Sequence, residues 1–240
     1  MITGWGRNLT IALLLLNQNS WANEIYIEQS GDNVVITIEQ SGEKNTITAP
    51  TGSSFTESHI HGDGNSLLIK QKNTGQANSG GTIGFDVLGN YNSIELGQGY
   101  TGSATGNIFG NTDTTESGAK FIELNVTGDS NNVHVGQRNG SMGYYAPHTA
   151  LIDITGNSNS VDAEQTNDGV KSVDIDLSGN GHSVISRQMN DGSHTSTIDL
   201  SNGGGAYSLN VTQNSTTAQT YSLTGTCYTA NGCAVSVTQN

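Results

Sequence analysis

Leu177-Ser-Gly-Asn-Gly-His-Ser-Val-Ile-Ser-Arg-Gln188 reads as the end of one short strand, a Gly-led turn, and a second short strand closed by a glutamine. Nine residues separate Gly179 from Gln188, and the same offset recurs at Gly62/Gln71, Gly89/Gln98, Gly128/Gln137, Gly156/Gln165 and Gly204/Gln213. Six copies of one spacing mark a repeat protein. Two short strands cannot bury an apolar face alone, so the units must cover one another.

The alternation within each unit says which face is covered. Four residues before successive glutamines stand Leu67, Ile94, Val133, Val161, Val184, Leu209 and Val235. Two before stand Ile69, Leu96, Val135, Ala163, Ser186, Val211 and Val237. A period of two puts these positions and the glutamine on one face of a strand. The preceding strand alternates too, with inward positions Ile83/Phe85/Val87, Ile122/Leu124/Val126, Ala150/Ile152/Ile154 and Val173/Ile175/Leu177. Between the strands, Gly62, Gly89, Gly128, Gly156 and Gly179 open the turn, and Asn65, Asn92, Asn131 and Asn159 follow three residues later in the first four. Glycine supplies positive φ, and asparagine tolerates left-handed geometry while bonding to nearby backbone.

The expected fold is therefore all-β: a β-solenoid of stacked strand-turn-strand repeats, about 7–8 rungs, roughly 35–40 Å tall at the inter-strand spacing of a sheet. A hairpin meander is the plainer alternative. Stacking is preferred because it aligns like with like, so Gln71, Gln98, Gln137, Gln165, Gln188, Gln213 and Gln239 would form a core amide ladder. Gln29 and Gln40 extend the pattern with Ile25/Ile27 and Ile36/Ile38. The connections after each glutamine vary in length and should leave the column at one edge. They carry Tyr100, Phe109, Tyr144 and Tyr145, candidates for a contact surface, with Tyr91 at the opposite turn.

The 240-residue chain holds 32 Gly, 2 Pro and only 12% charged residues, which suits many turns rather than one thick core. Its net charge of -13, with 8 Lys+Arg, argues against nucleic acid as a partner. The same charge keeps separate subunits apart, less so as salt rises. At the N-terminus, Arg7, the apolar run Leu9–Leu16 and the small residues around Ala22 form the pattern of a secretion signal peptide over residues 1–22. Residues 23–240 would then be the repeat domain, with no membrane insertion after cleavage, because the apolar run is too short to span a bilayer. Cleavage would leave a charge of 7 - 21 = -14. In an exported chain Cys227 and Cys233 are expected to form a disulfide around a tight loop.

Units of the form Gly-x-x-Asn-Ser-φ-x-φ-x-Gln, such as Gly156-Asn-Ser-Asn-Ser-Val-Asp-Ala-Glu-Gln165, resemble curlin repeats, the building block of bacterial curli fibres. Gln29-Ser-Gly31-Asp-Asn33 and Gln40-Ser-Gly42-Glu-Lys-Asn45 carry the Gln-x-Gly element of that family. The resemblance implies secretion through a dedicated outer-membrane channel, nucleated assembly, and an amyloid-like fibre in a biofilm matrix. Departures are the apolar residue before the turn from Val87 onward, His182 in an asparagine position, the uneven loops and the cysteine pair.

No constellation of residues points to catalysis, and no cofactor is expected. His59-Ile-His61 places two imidazoles on one strand face, and Asp86, Asp153 and Asp176 each lie three before a turn glycine, with Asn125 in the same place. Stacked acids repel by roughly 1 kcal/mol per pair even in water. Calcium on that acidic face would relieve the repulsion; a solvated face is the simpler account. The expected function is a secreted structural subunit that stacks head to tail with itself into extracellular, amyloid-like fibres for surface adhesion or biofilm. Secretion or nucleation factors would be its partners, at the surface of a Gram-negative-type bacterium. The alternative is an adhesin or phage fibre component whose loops bind surface glycans, and a β-solenoid carbohydrate-active enzyme ranks below both.

Overall fold

The computed structural model describes residues 10–15, 24–41, 45–50, 57–72, 81–98, 119–138, 146–202 and 204–240. In chain order the strands are β1 (Thr10–Leu15), β2 (Glu24–Ile25), β3 (Ile27–Ser30), β4 (Val35–Ser41), β5 (Thr46–Thr48) and β6 (Ser58–His61). There follow β7 (Ser66–Lys72), β8 (Gly81–Leu88), β9 (Ser93–Gln98), β10 (Lys120–Thr127), β11 (Asn132–Arg138), β12 (His148–Thr155) and β13 (Ser160–Thr166). The C-terminal part holds β14 (Lys171–Ser178), β15 (Ser183–Met189), β16 (His194–Asn202), β17 (Tyr207–Asn214), β18 (Gln219–Cys227) and β19 (Cys233–Gln239).

From β6 onward, successive strands go to alternate sheets. One sheet runs β1-β4-β7-β9-β11-β13-β15-β17-β19, and the other runs β18-β16-β14-β12-β10-β8-β5-β2 with β3 and β6 joined to it. Each strand therefore hydrogen-bonds to the equivalent strand one repeat away, in parallel, as a β-solenoid requires. The pairs β8/β9, β10/β11, β12/β13, β14/β15, β16/β17 and β18/β19 are six complete turns, and β6/β7 and β3/β4 continue the column towards the N-terminus.

The register puts like beside like. Val133 lies between Ile94 and Val161, and Ile152 between Leu124 and Ile175. Ile83, Phe85, Val87, Leu96, Leu124, Val135 and Ile175 are buried in one cluster that runs along the column between the two sheets. A one-residue slip would turn this whole set outward, so the narrow core fixes the register.

The Gly-led turns explain how the rungs can approach. Gly62, Gly89, Gly128, Gly156 and Gly179 have φ between 124° and 139°, and a methyl group on any of the first four would strike the carbonyl of the next turn's glycine. Gly31, with φ 121°, packs on Gly62 in the same way. Gly31/Gln40 is thus a further copy of the nine-residue offset.

That copy corrects the reading of Gln29. The segment Ile25–Gln29 precedes a turn glycine, so it belongs to the other sheet from Val235–Gln239. Gln29 pairs with Ile60, and its Nε2 donates to Gly31 O at 2.8 Å, away from the glutamine ladder. At the N-terminal end, β1 lies parallel to β4, from Thr10 beside Val35 to Leu15 beside Gln40.

Candidate functional site

The glutamines of the first sheet form a chain of buried amides. Gln98 Nε2 donates to Gln137 Oε1 at 3.2 Å, Gln137 to Gln165 at 2.8 Å, and Gln165 to Gln188 at 2.9 Å. Gln188 then donates to Gln213 and Gln213 to Gln239, both at 3.0 Å. Each Nε2 also bonds across to a backbone carbonyl of the second sheet: Phe121 O for Gln137, Thr149 O for Gln165 and Ser172 O for Gln188. Gln71 is buried in the same column and donates to Thr46 O at 3.3 Å. A glutamine thus satisfies three polar partners where an apolar residue would satisfy none.

A second ladder occupies the turn edge. The amides of Asn92, Asn131 and Asn159 donate to Oδ1 of Asn65, Asn92 and Asn131 at 2.9–3.0 Å. Their Nδ2 groups reach the other way, to Gly128 O, Gly156 O and Gly179 O, as Asn65 Nδ2 does to Gly89 O. His182 continues the series with a different group. Its amide donates to Asn159 Oδ1, its Nδ1 accepts from the Tyr207 amide at 3.0 Å, and its Nε2 lies 3.3 Å from Ser178 O. Those roles need a neutral ring protonated at Nε2, and burial holds its pKa below the usual imidazole value.

A third series was not anticipated from the sequence. Oδ1 of Asp63, Asn90, Asp129, Asn157 and Asn180 each accept the amide of the equivalent residue one turn before, at 2.7–2.8 Å. The residue after Gly31, Gly62, Gly89, Gly128, Gly156 and Gly179 is Asp or Asn, which is the signal that marks it, and the series stops at Gly204, which Gly205 follows.

A buried basic column was also missed. Lys120, His148, Lys171 and His194 are in register on consecutive rungs, and all four are buried. They stand two residues before Ile122, Ala150, Val173 and Ser196, so the period of two already places them inward. Lys171 Nζ donates to Asp168 O (2.6 Å), Asn190 O (2.8 Å) and Gly192 O (2.5 Å), with Gly169 O at 3.4 Å. Burial lowers its pKa to about 8 against the pull of Asp191 and Asp168.

The outward faces differ in charge. On the first sheet, Arg187 bonds to Asp162 at 2.9 Å and to Glu164 at 3.3 Å. On the second, Asp176 lies between Asp153 and Asp199, and Asn125 Nδ2 donates to Asp153 at 2.6 Å. Partial burial raises the Asp176 pKa, and the carboxylates of Asp174, Asp153 and Asp199 add to the effect. His59 Nε2 lies 3.6 Å from Glu28, and His61 Nδ1 lies 2.5 Å from Ser30 Oγ. Among the described residues no three His, Cys, Asp or Glu side chains gather as a metal site. Tyr91 is exposed at its turn with φ 57°. Tyr100, Phe109, Tyr144 and Tyr145 lie outside the described residues.

The column ends where its burial falls away. Inward residues are buried through β17, whereas those of β18 and β19 are half-buried up to the disulfide. Ile25 and Ile27 at one end, and Tyr221, Leu223 and Val235 at the other, pack on the core with one side uncovered. Cys227 and Cys233 are joined, with Cα atoms 5.8 Å apart. The bridge closes a loop over the last turn, so replacing both cysteines by serine should cost only about 2 kcal/mol. A denaturant melt with unchanged far-UV dichroism before the transition would show that loss.

Comparison of the chain with known family models, curated proteins and solved structures finds no match.

Proposed function

We propose that this chain is a secreted structural subunit that stacks end to end on copies of itself into curli-like, amyloid-like extracellular fibres. The observation that carries this reading is the half-buried state of the apolar residues at the ends of the column, Ile25 and Ile27 against Tyr221, Leu223 and Val235. A further rung would cover them as β15 and β17 cover each other inside. The ends are also strand edges, whose unpaired backbone groups template pairing. Export with removal of residues 1–22 takes β1 away and opens the outer edge of β4 to the β19 of another copy. The glutamine ladder supports this direction of growth, because Gln239 Nε2 is the last amide donor of its series and Gln40 stands in register with Gln71. The net charge, 7 - 21 = -14 once residues 1–22 are removed, sets a repulsion that salt screens, so assembly should accelerate with ionic strength.

Incubating the secreted protein at increasing concentration and salt, and viewing it by electron microscopy, tests the proposal. Filaments are expected. Leu223→Lys with Val235→Lys should abolish them while leaving a folded monomer, since both side chains are at the end and only partly buried. Persistent monomers of the unaltered protein, with and without calcium, would contradict the reading.

A further inference from the structure

We propose that His148, Lys171 and His194 form an acid-sensitive catch that closes the edge of the column between the two sheets. The three side chains are buried on adjacent strands β12, β14 and β16, in register. Together they hold the two short connections at 167–170 and 190–193. His148 Nε2 lies 3.1 Å from Asn167 O, and His194 Nε2 lies 2.8 Å from Met189 O. Lys171 Nζ clamps both connections at once, through Asp168 O on one and Asn190 O and Gly192 O on the other.

Both imidazoles use Nε2–H as a donor to a carbonyl, and the Nδ1 of each is buried with no hydrogen-bond partner. A second proton on either ring enters a buried place beside the Lys171 ammonium; backbone carbonyls, Gly169 by His148 and Ser215 by His194, favour the charged ring, and burial outweighs them. His148 has Lys120 on one side and Lys171 on the other, and His194 has Lys171 on one side and Gln219 on the other. The carboxylates near the column, Asp168 and Asp191, act on Lys171. The facing residues of the first sheet, Gln165, Gln188 and Gln213, are neutral amides. Burial pushes the His148 pKa well below the usual imidazole value, with Lys120 and Lys171 adding to it, and burial also lowers that of His194.

The sign follows from those directions. Below pH 6.5 a released imidazole binds a proton that the closed one refuses, so acid favours opening. His148, held well below its free value, shifts the opening equilibrium about tenfold by one pH unit below that value, and His194, also lowered, adds to it in the same direction. The alternation of lysine and histidine along the column keeps ammonium groups two rungs apart near neutral pH and removes that separation in acid.

Hydrogen exchange of the full chain, corrected for the intrinsic effect of pH, tests the catch. Between pH 7 and 5.5, amides of 167–171 and 190–194 should lose protection on the order of tenfold, while β7 and β9 change little. The double variant His148→Gln/His194→Gln should flatten that dependence; glutamine already occupies the same column at Gln219. Imidazole proton resonances of the unaltered protein give a reading that needs no variant. In the folded species they should stay at neutral-ring positions as the pH falls, while the open species grows. Smooth titration of both rings near pH 6.5 with protection retained would overturn the proposal. So would equal loss of protection along the whole column, or an unchanged pH dependence in the double variant.

Discussion

Gly156→Ala is expected to lower the unfolding free energy on the order of 4 kcal/mol. Two costs combine at this position. Its φ of 137° is a conformation that an L side chain rarely adopts, and the new methyl group would collide with the carbonyl of Gly179 on the next rung. The obstacle is turn backbone held by the Gly179 amide on Thr155 O and by Asn159 Nδ2 on the Gly179 carbonyl, so it cannot rotate away freely. Gly204→Ala supplies the control. It has a similar φ of 125° but nothing within reach of an added methyl group, so it should show the conformational cost alone. Equal losses in the two variants, measured by denaturant unfolding, would mean that close stacking of the turns contributes nothing.

Gln188→Leu is expected to cost roughly 3–5 kcal/mol, although it replaces a buried polar residue by an apolar one. The exchange removes three hydrogen bonds: Gln165 Nε2 keeps only its bond to Thr149 O, the Oε1 of Gln213 loses its donor, and the carbonyl of Ser172 loses its side-chain donor. Each is shielded from water, and an orphaned buried group costs about 1–3 kcal/mol. Ser186→Ala on the same strand is the contrast. Its buried hydroxyl has no hydrogen-bond partner, so the substitution should be neutral or slightly stabilising. A Gln188→Leu protein as stable as the parent would remove the amide ladder from the account of how the column is held.

The fold was legible because its two signals are local. Glycine at the first turn position and a period of two in the flanking strands each have one physical reading, and the Gly-to-Gln offset sets the rung. Where the sequence misled, residue type had been allowed to outweigh position. Gln29 resembles the ladder glutamines, yet it lies before Gly31 and so falls in the opposite sheet. Lys120, His148, Lys171 and His194 look like solvated side chains, yet their parity places them inward. Burial of a lysine depends on carbonyls delivered by a neighbouring rung, such as Asn190 O and Gly192 O, and pattern in a single repeat does not disclose them. His182 shows the same limit from the other side. It departs from asparagine in the alignment, while its two ring nitrogens keep the accepting and donating roles of the turn ladder.

Assembly by addition of rungs makes one demand on any fibre that forms. X-ray diffraction from aligned filaments of the secreted protein should give a meridional reflection near 4.8 Å, from strands perpendicular to the fibre axis, and an equatorial one near 10 Å from the two packed sheets. Filaments that lack the meridional reflection, or whose strands run along the axis, would contradict growth through the ends of the column.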